Sequence, residues 1–211
     1  MDLITKWVQG IWFFYFGRFV FAVYARLFLR LEVYNAHKVP PEGGLVVVSN
    51  HFSSLDPPVM GASIPRETNY MAKKELFDHR YLRALWLGLR AFPVDRDGNA
   101  SGAIKESIRR LRRGVAVGIF IQGTRSAEAA ALDGAAFIAQ RADAALQPAA
   151  IWRDGRRYRV RFGDPIYPEG KSREETSRLT ELLMTRINEL LPEDKQMTNY
   201  KPQPDREKVS A

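Results

Sequence analysis

From residue 45 to residue 162, short apolar, β-branched runs take turns with stretches of helical periodicity, and this alternation restricts the chain to a layered α/β architecture. Residues 115–121 form the clearest run and read as a central strand. Residues 45–49 follow the turn-forming Pro40-Pro41-Glu42-Gly43-Gly44 and read as a buried strand leaving that turn. Further strands are expected over 68–72, 91–94, 147–152 and 158–162. Helices are expected over 81–89, 101–113 with Gly114 as its C-terminal cap, 134–144 and 173–191. The order predicts a mixed, mostly parallel sheet flanked by helices.

At 211 residues, with no Pro/Gly/Ser-rich linker, the chain holds one domain with additions at both ends. The boundaries read as an N-terminal helical segment over 1–31, a main domain over 32–191 and a polar, aperiodic, loosely held tail over 192–211. Cysteine is absent, which excludes disulfides and thiolate metal sites, and His37, His51 and His79 show no metal-ligand spacing.

The N-terminal segment is rich in aromatics, among them Trp7, Trp12, Phe13, Phe14, Tyr15, Phe16, Phe19, Phe21 and Tyr24. Something apolar must cover it. Lys6, Arg18, Arg26 and Arg30 interrupt it before an uncharged run reaches transmembrane length. From Val8 to Leu29, Val, Ile, Leu and Phe side chains each favour insertion by about 0.3–0.6 kcal/mol, while Arg18 and Arg26 each oppose it by up to about 3 kcal/mol, so the two sides nearly cancel. Lying flat keeps the aromatics at headgroup level and lets the arginines reach anionic lipid. An interfacial, monotopic placement is therefore expected, ahead of a helix packed on the protein's own core or a true span. The formal charge of +8 also implies an anionic partner.

His51 and Asp56 sit five apart, just beyond the strand over 45–49, in Asn50-His51-Phe52-Ser53-Ser54-Leu55-Asp56. Ligand sites of open α/β sheets collect at such strand ends. A hydroxyl is a weak nucleophile until its proton has somewhere to go, and an imidazole held in one tautomer by a carboxylate can accept it. Asp56, followed by Pro57 and Pro58, can either cap a helix or turn toward His51. Downstream, the strand over 115–121 delivers Gln122-Gly123-Thr124-Arg125-Ser126 to the same sheet edge. Glycine lets backbone N–H groups approach a phosphate, the hydroxyls donate, and the arginine fork grips two oxygens.

These residues together resemble the glycerolipid acyltransferase family, of the 1-acylglycerol-3-phosphate acyltransferase type, over about residues 30–170. The first motif of that family matches at Asn50, His51 and Asp56, followed by a similar block at Met71-Ala72-Lys73-Lys74-Glu75-Leu76-Phe77. The second resembles Phe92-Pro93-Val94-Asp95-Arg96, the third Phe120 to Ser126, and the fourth the apolar strand carrying Pro148. The resemblance implies that His51 is the general base, that Asp56 supports it, and that Arg125 and Arg96 bind the acceptor phosphate, with Lys73 as a further anion contact. It implies an acyl-CoA or acyl carrier protein thioester as donor, no cofactor or metal, lysophosphatidic acid as acceptor, and a place on the cytoplasmic face of a membrane. Gln122 stands where the family usually has glutamate, and Asp133 where it usually has lysine. Another lysolipid acceptor, or a noncatalytic lipid-binding relative, therefore remains an alternative.

Two basic clusters stand apart from these motifs. Arg109, Arg110, Arg112 and Arg113 form a cationic helix end that reads as solvated surface. Arg157, Arg159 and Arg161 share one strand face, suited to anionic lipid or the phosphates of coenzyme A. Nucleic acid is not expected as a partner, since no helix-turn-helix, RNA-binding signature or zinc module is present.

Overall fold

Leu45, Val46, Val47 and Val48 are all buried, so the strand they form is covered on both faces, as a continuous apolar run requires. The computed structural model describes residues 11–94, 100–121 and 125–196 and places this strand, β2 (Leu45–Asn50), in the middle of a seven-stranded sheet. One side of β2 carries β6 (Ala145–Asp154), then β7 (Arg157–Phe162) and β1 (Glu32–Tyr34). The other carries β5 (Ala116–Ile121), β3 (Thr68–Lys73) and β4 (Phe92–Val94). All neighbours run parallel except β6 and β7, an antiparallel hairpin turned at Gly155 with φ of 58°. The sheet is mixed and mostly parallel, as the alternation predicts.

Helices α1 (Ile11–Phe28) and α2 (Asp56–Ser63) cover one face. There Phe21, Val59 and Met60 pack with Leu45, Val47, Ile151 and Phe162. After α3 (Arg80–Gly88), helices α4 (Ala100–Leu111), α5 (Arg125–Ala142) and α6 (Arg173–Leu190) cover the other face. Leu111, Leu132, Ile138, Leu179, Leu183 and Ile187 close there on Val46, Val48, Val117 and Leu146.

Helix α4 ends as expected: the N–H of Gly114, with φ of 78°, returns to the carbonyl of Leu111 at 2.8 Å. Helix α5 starts at Arg125, well before the expected residue 134. The alanines from 127 to 131 have strong helix propensity but no apolar periodicity, so the pattern does not display the first turns. Strand β1 was not expected at all; three residues pairing only with β7 leave too short a pattern to read.

Helix α1 carries apolar side chains on both its inner and its outer side, with Arg18 and Arg26 among them. Its inner side sets Phe14 and Ala25 into the protein, and Arg18 donates to the carbonyl of Ile64 at the end of α2. Its outer side leaves Trp12, Phe16, Phe19 and Leu27 exposed, at 85%, 67%, 66% and 69%. Among the described residues, no helix is long and apolar enough to cross a membrane. The first ten residues of the expected N-terminal segment and the part of the expected tail beyond residue 196 lie outside the described residues.

Candidate active site

The backbone leaves β2 at Asn50, and that residue's side chain continues the sheet where the strand stops. Its amide nitrogen donates to the carbonyl of Ile151 at 2.7 Å, and its oxygen accepts from the N–H of Ile151 at 2.9 Å. Asn50 thus fixes the peptide that carries His51 against β6. This positioning role was invisible in the sequence, where Asn50 stood only as part of a motif.

Asp56 turns toward His51 rather than capping a helix. It is fully buried, and one oxygen, Oδ2, meets His51 Nδ1 at 2.7 Å and accepts from the N–H groups of Phe52 at 2.7 Å and Ser53 at 2.8 Å. Three donors converging on one carboxylate oxygen hold the loop and favour the His51 tautomer with the proton on Nδ1. That leaves Nε2 as the ring atom able to accept a proton. The His51 side chain is 19% exposed, open enough for a substrate yet held in place.

The wall beside His51 was likewise not anticipated. Phe120 lies 4.9 Å from the imidazole between centroids, and Tyr70 stacks on Phe120 at 5.8 Å. This stack depends on Gly118, because a Cβ there would stand 2.2 Å from Cε1 of Tyr70. Burial pushes the Tyr70 phenol well above its ordinary range, so it stays neutral beside Arg18.

Register brings the strand ends that precede the remaining candidates to the same edge. Asn50 pairs with Ile121, so β5 ends beside the strand end that carries His51. Lys73 is exposed at the end of β3 and pairs with Val94, the residue before the segment that carries Arg96. Arg96, Gln122, Gly123 and Thr124 lie outside the described residues. Arg125 and Ser126 are described as backbone only, in the first turn of α5, where the helix dipole favours an anion.

Two features gain partners in the structure. Asp133, two turns beyond Arg125, accepts from the Thr180 hydroxyl at 2.8 Å, which joins α5 to α6. The Arg157, Arg159 and Arg161 trio is engaged within the fold instead of waiting for phosphates. Arg159 pairs with Glu32 at 3.0 Å and with Asp154, Arg157 reaches Glu32 at 3.6 Å, and Arg161 sits over the rings of Tyr34 and Trp152 while donating to the carbonyl of Leu190. The hydrogen bond from Tyr34, then that from Arg159, lowers the Glu32 pKa, which keeps this carboxylate ionised.

Comparison with known proteins agrees with this geometry. The Acyltransferase family model matches residues 30–152. A 1-acyl-sn-glycerol-3-phosphate acyltransferase of Bacillus subtilis is 35% identical over 175 residues, covering 76% of this chain and 87% of that protein. One of Streptococcus pneumoniae is 33% identical over 54% of this chain and 44% of its own length. The crystal structure of the 1-acyl-sn-glycerophosphate (LPA) acyltransferase PlsC from Thermotoga maritima superposes with a TM-score of 0.61 at 23% identity, over 88% of this chain and 79% of that one, and so shares the fold. A buried carboxylate–imidazole pair at the sheet edge, the matching family model and these relatives together lead to one conclusion: the chain belongs to the acyltransferase family typified by 1-acylglycerol-3-phosphate acyltransferase.

Proposed function

We propose that this chain moves a fatty acyl group from an acyl thioester, on coenzyme A or an acyl carrier protein, to the free hydroxyl of lysophosphatidic acid, as a step of phospholipid synthesis. The observation that carries this reading is His51 Nδ1 held at 2.7 Å from a buried Asp56, which leaves Nε2 to act as base. Nε2 takes the acceptor hydroxyl proton as that oxygen attacks the thioester carbonyl. The tetrahedral oxyanion collapses, the C–S bond breaks, and the imidazolium returns its proton to the departing thiolate. No covalent acyl-enzyme is required.

The acceptor phosphate is held by Gly123, Thr124, Arg125 and Ser126, with Arg96 and Lys73 as further cations. Gln122 keeps the hydrogen-bonding shape of glutamate without its charge, which lowers repulsion toward a phosphate. With Asp133 committed to Thr180, it gives no ground for preferring a different headgroup. The chain works from the cytoplasmic face of the membrane, with the exposed aromatic side of α1 in the interface of an anionic bilayer.

An acceptor panel with one labelled acyl thioester, read by product mass, tests the reading. Lysophosphatidic acid should be preferred, and His51→Ala should cut turnover at least about 100-fold, the low end for general-base catalysis. A folded His51→Ala protein with near-full activity would remove the base. Preference for an acceptor without phosphate would remove Arg125 and Arg96 from their roles.

A further inference from the structure

Helices α4 and α5 part on the sheet face opposite α1, leaving a cleft of about 740 Å³. Its floor is hydrocarbon: Ile104 and Ile108 from α4 and the Phe137 ring from α5. Its rim is cationic, made by Lys105, Arg109, Arg112, Arg113 and Arg141, and no carboxylate among the described residues lines it. Arg112 donates to the carbonyl of Arg141 at 2.9 Å and the Arg141 guanidinium lies 5.0 Å from the Phe137 ring, so both charges are gathered at the mouth. Glu106 binds Arg109 and Arg110, each at 2.7 Å. Among the described residues Lys105, Arg112, Arg113 and Arg141 have no acidic partner. Like charges held together without an internal counterion favour an external anion.

We propose that this cleft docks an acidic carrier protein bearing the acyl thioester, which sets a row of carboxylates on the rim and one apolar side chain on the floor. The inference rests on the acyl-transfer reading and narrows its donor. Three observations select this occupant. From Lys105 to Arg113 the rim runs about 12 Å along α4, too far for one phosphate and suited to acids spaced over two helical turns. The hydrocarbon floor fits an apolar anchor better than a nucleotide base. With α1 and α4 on opposite faces of the sheet, the cleft faces the aqueous phase when α1 lies on lipid. Helix α4 also begins just beyond β4, so the Ser101 end of the cleft lies toward the edge that carries His51.

The test compares one acyl chain on two donors, acyl carrier protein and coenzyme A, with the whole chain and its Arg112→Glu/Arg113→Glu variant. Charge reversal should lower kcat/KM for the carrier-borne donor at least about tenfold and leave the coenzyme A donor within about twofold. Binding of unacylated holo carrier protein should fall in parallel and weaken as salt rises. Lys105→Glu, an exposed single change, is the second variant should the double variant fold poorly, and should show the same selectivity. Equal losses with both donors, no loss with either, or no carrier binding by the wild type would overturn the proposal. So would loss of binding to anionic vesicles with carrier binding intact, which would assign the rim to lipid. Turnover with neither donor would end the acyl-transfer reading; the binding assay would then decide the surface separately, with charge-sensitive carrier binding upholding it and absent binding overturning it.

Discussion

Helices α1 and α6 are both eighteen residues long and lie on opposite faces of the same sheet, yet they solve burial differently. In α6, Leu179, Leu183 and Ile187 recur at four-residue spacing and are fully buried, while the outer side is charged or polar. Its start is capped by Ser172, whose hydroxyl accepts from the N–H of Glu175 at 3.1 Å. Helix α1 buries Phe14 and Ala25 and still presents Trp12, Phe16, Phe19 and Leu27 outward. One helix has a single apolar side and the fold uses it. The other has two, and the fold uses one, so the second is left for a lipid surface in the reading proposed above.

The largest effect should come from erasing that second side. Trp12→Ser/Phe16→Ser/Phe19→Ser should lower partition into anionic vesicles at least about 100-fold, since each large apolar side chain contributes roughly 1.5–3 kcal/mol on burial. Its melting temperature should stay near the wild type. A large drop in stability with vesicle binding intact would make α1 a second α6.

Next comes the core under α6. Leu183→Ala should cost about 2–5 kcal/mol in chemical denaturation, without altering vesicle binding. A cost below about 1 kcal/mol would mean that α6 is not locked onto the sheet.

On the α1 side of the sheet, Gly118→Ala forces a methyl group into the Tyr70 ring and should cost about 1–3 kcal/mol. Because Tyr70 supports Phe120 against His51, kcat should fall as well, as steady-state assays would record. Unchanged stability would show that the Tyr70 stack can shift freely.

The smallest effect belongs to the outer polar surface of α4. Glu106→Gln should cost roughly 0.5 kcal/mol near neutral pH, the scale of a surface ion pair on a helix. Hydrogen bonding from Arg109, with further support from Arg110, holds the Glu106 carboxyl below its usual range. Its contribution is therefore present above the unfolded carboxylate value and lost as pH falls through the lowered folded one. Denaturation curves of wild type and variant should converge in acid; a gap that widens there would reverse the sign.

Much of the sheet could be read before any coordinates, because β2 and β5 are continuous apolar runs bounded by turn residues. His51 and Asp56 were equally legible, as they belong to one short loop. Other features depended on partners distant in the chain. Asn50 becomes a support only because β6 offers the backbone of Ile151, and Phe120 becomes a wall only because β5 lies beside β2. The Arg157, Arg159 and Arg161 face resembled a free anion site until Glu32, Trp152 and Tyr34 closed around it.

By itself the sequence determined most of the strands and helices, β1 and the first turns of α5 aside, and that an imidazole and a carboxylate share one loop, since both follow from interactions among residues a few positions apart. The tertiary structure decided which strands are neighbours, what stands beside His51, and which arginines are already paired. Those outcomes follow from parallel pairing and helix packing between remote segments, where burial of the whole chain is balanced at once and no local pattern records the result.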